Sequence, residues 1–199
     1  MKPDAVPEPR VMLPPAVLDY VTAELGAARV VLEYGAGGST VLAASLGARV
    51  FSVETDPGWI VHVRRWLTSS DLQDRVTLHY ADIGRTARWG RPKKPRRRHW
   101  ARYLRYPRSV WNRPEFEQPD LILVDGRFRV ASFLCAMTRI RRPTRLLFDD
   151  WLTRPDYHVV ERFQRPALIV DRMAVFDLQP QRLSLRDWID TLPQRLDHE

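Results

Sequence analysis

Three glycines within four residues, Gly35-Ala36-Gly37-Gly38, directly follow the short β-rich run Arg29 to Tyr34. Glycine lets the backbone turn tightly and approach a ligand where a Cβ would collide, and the start of a following helix adds unpaired N–H groups. By itself this is a strand-to-helix turn, with or without a ligand. Two acids extend the pattern. Glu33 precedes the first glycine, and Glu54 closes the next β-rich run 19 residues after Gly35, where a carboxylate can accept both hydroxyls of a ribose. Asp82 follows a third such run, in Tyr80-Ala81-Asp82-Ile83. Asp125 ends Leu121-Ile122-Leu123-Val124, and Asp149 and Asp150 end Leu146-Leu147-Phe148. If adjacent strands carry these ends, three carboxylates crowd a small volume, which a divalent cation would relieve. The local alternative is that Asp149 or Asp150 caps the next loop, while Asp125 orients a substrate or pairs with Arg127.

The elements that must position these residues alternate. Pro15 to Leu25 reads as a helix with Val17, Leu18, Val21 and Leu25 on one face. After the glycine turn, Ser39 or Thr40 can cap a helix through Leu46 that Gly47 stops, and Arg49 to Glu54 forms the second strand. Asp56-Pro57 then starts a helix whose Trp59, Ile60, Val63, Trp66 and Leu67 share a face. Val76 to Tyr80 and Leu121 to Val124 are further strands, followed by a helix from Val130 to Ile140, a fifth strand from Arg145 to Phe148 and a short helix from Tyr157 to Phe163. Ala167 to Val170 and Met173 to Leu178, separated only by Asp171-Arg172, form a tight hairpin. The expected fold is a single doubly wound, Rossmann-like α/β domain: a mostly parallel seven-stranded sheet with an antiparallel C-terminal edge hairpin. In domain terms this is a leader and helix over 1–27, the α/β domain over 28–180, and a tail over 181–199.

Composition sets bounds. A chain of 199 residues with 44% hydrophobic content buries a core in one domain, and its longest apolar runs fall far short of a membrane span. The first ten residues lack the apolar stretch of a secretory signal, and one cysteine forbids an internal disulfide, so a cytoplasmic location is expected. Cys135 sits among apolar helix neighbours and is no candidate nucleophile, and the five histidines show no metal spacing. The net charge of +8 is concentrated: 12 basic residues and two acids lie between Arg85 and Glu117, leaving a net −2 elsewhere. This insertion mixes its cations with Trp89, Trp100, Tyr103, Tyr106 and Trp111. Such a mixture suits phosphate contact with base stacking, a lid whose Arg96, Arg97, Arg98 and Trp100 select an anionic acceptor, or a solvated loop.

The order acid-x-Gly-x-Gly in Glu33-Tyr34-Gly35-Ala36-Gly37, followed by Glu54 and Asp82, resembles the class I S-adenosylmethionine-dependent methyltransferases over about residues 28 to 178. The resemblance implies that Glu33 lies close to the methionine end of the cofactor, that Gly35 and Gly37 let it pass, that Glu54 holds the ribose and that Asp82 lies near the adenine. The strand-end acids are similar to those of the catechol and caffeoyl-coenzyme A O-methyltransferases, which implies Mg2+ on Asp125, Asp149 and Asp150 and places catalytic Asp125 at the acceptor. Two departures stand out: Asp150 replaces an asparagine, and Phe128 occupies the place of a catalytic lysine, with Arg127 and Arg129, too basic to accept a proton, on either side. Arg127 is a candidate acceptor-binding residue. No Asn-Pro-Pro-Tyr motif for amino-group methylation is present. Two other classes stay open: a nicotinamide-dependent oxidoreductase, although Thr40 replaces the third glycine of its fingerprint, and a non-catalytic nucleic-acid-binding module acting through 85–117.

Overall fold

Strands and helices alternate around one seven-stranded sheet in the computed structural model, which describes residues 7–93, 99–184 and 186–187. The elements are α1 (Pro15–Ala27), β1 (Val30–Tyr34), α2 (Gly38–Ser45), β2 (Arg49–Glu54), α3 (Pro57–Ser69), β3 (Val76–Tyr80), α4 (Trp100–Tyr103), α5 (Arg105–Arg108), β4 (Leu121–Val124), α6 (Arg129–Arg139), β5 (Thr144–Phe148), β6 (Leu168–Val170) and β7 (Met173–Leu178). The sheet order is β3-β2-β1-β4-β5-β7-β6. Strands β1 to β5 pair in parallel, and β7 runs antiparallel to both β5 and β6. The order reverses between β1 and β4, which is where a sheet of this kind leaves a crevice beyond its carboxyl ends.

Both faces are covered, so the central strands read as unbroken apolar runs. Alternation along β1 sends Val30, Leu32 and Tyr34 into one core with Phe133, Leu134 and Met137 of α6, and Val31 into the other with Val17, Val21 and Leu25 of α1. Asp56 caps α3 by accepting from Gly58 N (2.8 Å) and Trp59 N (3.1 Å), and Pro57 occupies its first turn. The N-cap of α2 is Gly37 rather than Ser39 or Thr40: Thr40 works from inside the first turn, its Oγ1 accepting from Gly37 N at 2.8 Å. The helix expected over Tyr157 to Phe163 is a 3₁₀ stretch, Pro155–Arg162.

The insertion departs most from expectation. Tyr103, Tyr106 and Val110 are buried, and Trp100, Trp111 and Phe116 pack against the same core, so α4 and α5 cover the face of the sheet between β3 and β4. Tyr34 Oη donates to Pro107 O (2.8 Å), and Trp111 Nε1 donates to Tyr34 Oη (2.8 Å). Aromatics interleaved with arginines here make an amphipathic layer, rings inward and Arg102, Arg105 and Arg108 outward, rather than a row of stacking platforms. Trp89 differs, with 64% of its surface exposed. Among the described residues, no helix is long and apolar enough to cross a membrane.

Candidate active site

A cavity of about 590 Å³ opens beyond the carboxyl ends of β1, β2, β4 and β5, lined by the glycine turn, Glu54, Trp59, Asp125, Asp149 and Asp150. Gly35 has φ +109°, and a Cβ there would lie 2.8 Å from the Gly126 backbone, so the ends of β1 and β4 meet with no side chain between them. Gly37 has a different reason to lack a side chain. Nothing of the protein lies within 4 Å of where its Cβ would be, and because Gly37 lines the cavity a side chain there would fill space left for a ligand.

Glu54 stands at the end of β2 with its Oε1 taken by Asp56 N (3.0 Å) and by the Thr55 N–H and hydroxyl. Its Oε2 has no hydrogen-bond partner among the described residues and can accept from a ligand. Burial holds the Glu54 carboxyl above its ordinary pKa. Beside it, Trp59 Nε1 donates to Ala36 O (2.7 Å), which fixes the indole against the glycine turn. The helical pattern counts Trp59 with the inward face of α3, yet it is 38% exposed and lines the cavity.

Glu33 lies elsewhere. The alternation that turns Tyr34 toward α5 turns Glu33 toward α2, where it is fully buried and accepts from the hydroxyls of Ser39, Thr40 and Ser52, the last at 2.6 Å. It does not line the cavity but supports the glycine turn from beneath. Burial pushes its carboxyl from 4.5 up to about 7 despite those three donors. Asp82 also stays outside the cavity: it accepts from Gly84 N (2.9 Å) and pairs with Arg102 Nη2, which ties α4 to the end of β3 and pulls the carboxyl below its usual range. Trp100 packs on the core of the insertion and Arg127 lines the cavity, whereas Arg96, Arg97 and Arg98 lie outside the described residues.

The three strand-end aspartates do converge, as β4 and β5 are neighbours, but they converge on arginine. Arg129 Nη2 reaches Asp125 Oδ1 (3.1 Å) and Asp150 Oδ2 (3.0 Å), while its Nε donates to Gly126 O and its Nη1 to Asp149 O. Arg172 holds both oxygens of Asp149, Nε to Oδ1 at 2.9 Å and Nη2 to Oδ2 at 2.8 Å, and approaches Asp150 at 3.4 Å. Mg2+ would need those oxygens for its own octahedral shell, so the trio as it stands does not fit the ion. Among the described residues no group of three His, Cys, Asp or Glu side chains is arranged to hold a metal. Asp125 keeps 34% of its side chain exposed, and burial together with Asp149 and Asp150 raises its pKa against the opposing pull of Arg129.

Three parts of this site are not legible in the sequence. Arg172 lies 23 residues from Asp149 in a hairpin turn that reads as connection only. Gly126 is required because a Cβ would fall 2.1 Å from Tyr106 Oη; the Asp-Gly pair at the end of β4 is its one local signal. Arg10 to Leu13 of the leader also line the cavity, and proline-rich sequence gives no hint of that contact.

A methyltransferase-like protein from Silicibacter pomeroyi shares 37% identity with this chain, over 96% of this chain and 99% of that one, with a TM-score of 0.87. The chain belongs to the class I S-adenosylmethionine-dependent methyltransferases. An O-methyltransferase from Bacillus cereus in complex with SAH (20% identity, 80% of this chain, 66% of that one, TM-score 0.54) shares the fold. So does a caffeoyl-CoA O-methyltransferase, as that protein is described, from Staphylococcus aureus (14% identity, 83% and 84%, TM-score 0.59). No protein-family model and no curated protein matches the chain. The antiparallel β7 between β5 and β6 separates this methyltransferase from nicotinamide-binding folds, whose sheet continues in parallel.

Proposed function

We propose that this methyltransferase transfers a methyl group to an oxygen of an anionic acceptor, with Asp125 receiving the acceptor proton. The observation that carries this reading is the position of Asp125: at the mouth of β4, partly exposed, in a cavity that also contains the glycine turn, the open edge of Glu54 and Arg10, Arg88 and Arg127. Bound S-adenosylmethionine supplies an electrophilic methyl group on its sulfonium. Glu54 Oε2 would hold its ribose, and the bare backbone at Gly35 and Gly37 admits its methionine end. Asp125 then does two things: its fixed carboxylate orients the acceptor hydroxyl, and its raised pKa makes it a competent proton acceptor near neutral pH. Arg10, Arg88 and Arg127 favour an acceptor that carries a carboxylate or phosphate.

The test is a screen for S-adenosylhomocysteine release with phenolic and aliphatic alcohols in pairs, one member anionic and the other neutral. Turnover should favour the anionic member and rise with pH through the neutral range as Asp125 loses its proton. Asp125→Asn should reduce kcat by about 100-fold or more with cofactor affinity kept. Equal use of neutral acceptors would contradict the anionic class, and an active Asp125→Asn would contradict its role.

A further inference from the structure

We propose that the Arg129 guanidinium takes the place of a divalent cation in this site: it gathers Asp125, Asp149 and Asp150 and fixes the Asp125 carboxylate at the cavity, so methyl transfer here needs no metal. The inference rests on the assignment of Asp125 to the acceptor.

Arg129 is buried in the first turn of α6, in line with the ends of both β4 and β5. Each nitrogen of its planar fork meets an acceptor. Nε meets Gly126 O (3.0 Å), Nη1 meets Asp149 O (2.6 Å), and Nη2 meets Asp125 O (3.0 Å), Asp125 Oδ1 (3.1 Å) and Asp150 Oδ2 (3.0 Å). One guanidinium therefore ties the backbone ends of two strands to the carboxylates they carry. Arg172 closes the far side through both oxygens of Asp149. Three carboxylates against two guanidiniums leave one net negative charge, so an arriving dication meets little of the attraction that bare acids would offer. Phe128 completes the arrangement. It enters α6 with a left-handed φ of +52°, its ring buried against Tyr103 and Tyr106, and the turn this makes brings Arg129 rather than residue 128 to the carboxylates.

The charged groups facing Asp125 are Arg129 from α6, Asp149 and Asp150 from the end of β5, and Arg172 from the β6–β7 turn. Two measurements test the proposal, and neither depends on knowing the acceptor. In the first, the intact protein is titrated with MgCl2 and MnCl2 by calorimetry and by Mn2+ paramagnetic resonance, with and without S-adenosylhomocysteine. No saturable uptake is expected; saturable uptake that Asp149→Asn abolishes would overturn the proposal. In the second, the Asp125 carboxyl is titrated by carbon-13 resonance in the intact protein and in Arg129→Lys, which keeps the charge but loses the fork. Its pKa should rise by about one unit or more as the paired nitrogen is lost, and cofactor binding should stay within about twofold. An unchanged Asp125 titration would show that Arg129 is structural only. Should Arg129→Lys fail to fold, Arg172→Met, at the more exposed edge, should shift the same titration upward, and no shift would count against the proposal. If both results hold while Asp125→Asn stays active, Arg129 still gathers the three carboxylates without a metal, and it is the assignment of Asp125 to the acceptor that fails.

Discussion

At the scale of single residues, Glu54 and Glu33 show how one residue type, placed at neighbouring strand ends, does two different jobs. Glu54 spends Oε1 on the backbone of its own turn and leaves Oε2 to the cavity. Glu54→Gln keeps an oxygen for the turn and replaces the free acceptor with a donor. Affinity for S-adenosylhomocysteine should fall about 10- to 100-fold by calorimetry, the range expected for losing hydrogen bonds to a charged group, with little change in thermal stability. Glu33 is sealed beneath the turn, and its pKa of about 7 has a signed consequence. Between its ordinary 4.5 and about 7 the folded state binds more protons than the unfolded state, so stability falls as pH rises through that window, by about 3 kcal/mol in all. Asp125, raised from 3.8 to about 7, adds a slope of the same sign. Urea unfolding followed from about pH 5 to pH 8 should show both, and Glu33→Gln should remove the Glu33 share whatever it does to absolute stability. The resemblance places Glu33 close to the methionine end of the cofactor, and the structure has it buried beneath the glycine turn on the hydroxyls of Ser39, Thr40 and Ser52, outside the cavity lining. Period-two alternation from Val30 contains that answer, since it sends residue 33 toward α2. Arg172 is different in kind: its partner Asp149 is fixed by tertiary structure alone, and nothing local in Asp171-Arg172 marks it.

At the scale of elements, the glycines mark where pieces of backbone touch, and each touching pair can be separated on purpose. A Cβ on Gly126 would sit 2.1 Å from Tyr106 Oη and 2.8 Å from both Gly35 N and Tyr34 O, where rigid backbone on two sides cannot give way. Gly126→Ala should destabilise the fold by about 1–3 kcal/mol or more, the range for overpacking, and a lowered melting temperature would record it. Gly38 has its contact with the leader, since a Cβ would lie 2.3 Å from both Arg10 C and Val11 N. Gly38→Ala should therefore lift the leader from the glycine turn and leave α2 formed. Faster tryptic cleavage at Arg10 in the variant than in the intact protein is the expected outcome; equal cleavage would contradict the contact. Strands, the start of α3 and the terminal hairpin are readable because periodicity, Asp56-Pro57 and short apolar runs act locally. The insertion is not, because an amphipathic layer built from two four-residue helices is too short to show a period.

At the scale of the whole molecule, topology does most of the functional work. Parallel strands bring five chemically useful ends to one side, the crossover between β1 and β4 leaves a crevice there, and the insertion and leader wall it in. The basic charge is distributed to match: described arginines of α4 and α5 face outward, while Arg10, Arg88 and Arg127 reach the cavity. What the cavity holds is the claim on which the other assignments depend. Calorimetric titration of the intact protein with S-adenosylmethionine, S-adenosylhomocysteine and the nicotinamide dinucleotides tests it most directly. Saturable one-to-one binding of the two adenosyl ligands alone, weakened by Glu54→Gln, is the predicted result. Binding of a nicotinamide dinucleotide in their place, or adenosyl binding indifferent to Glu54, would contradict the account.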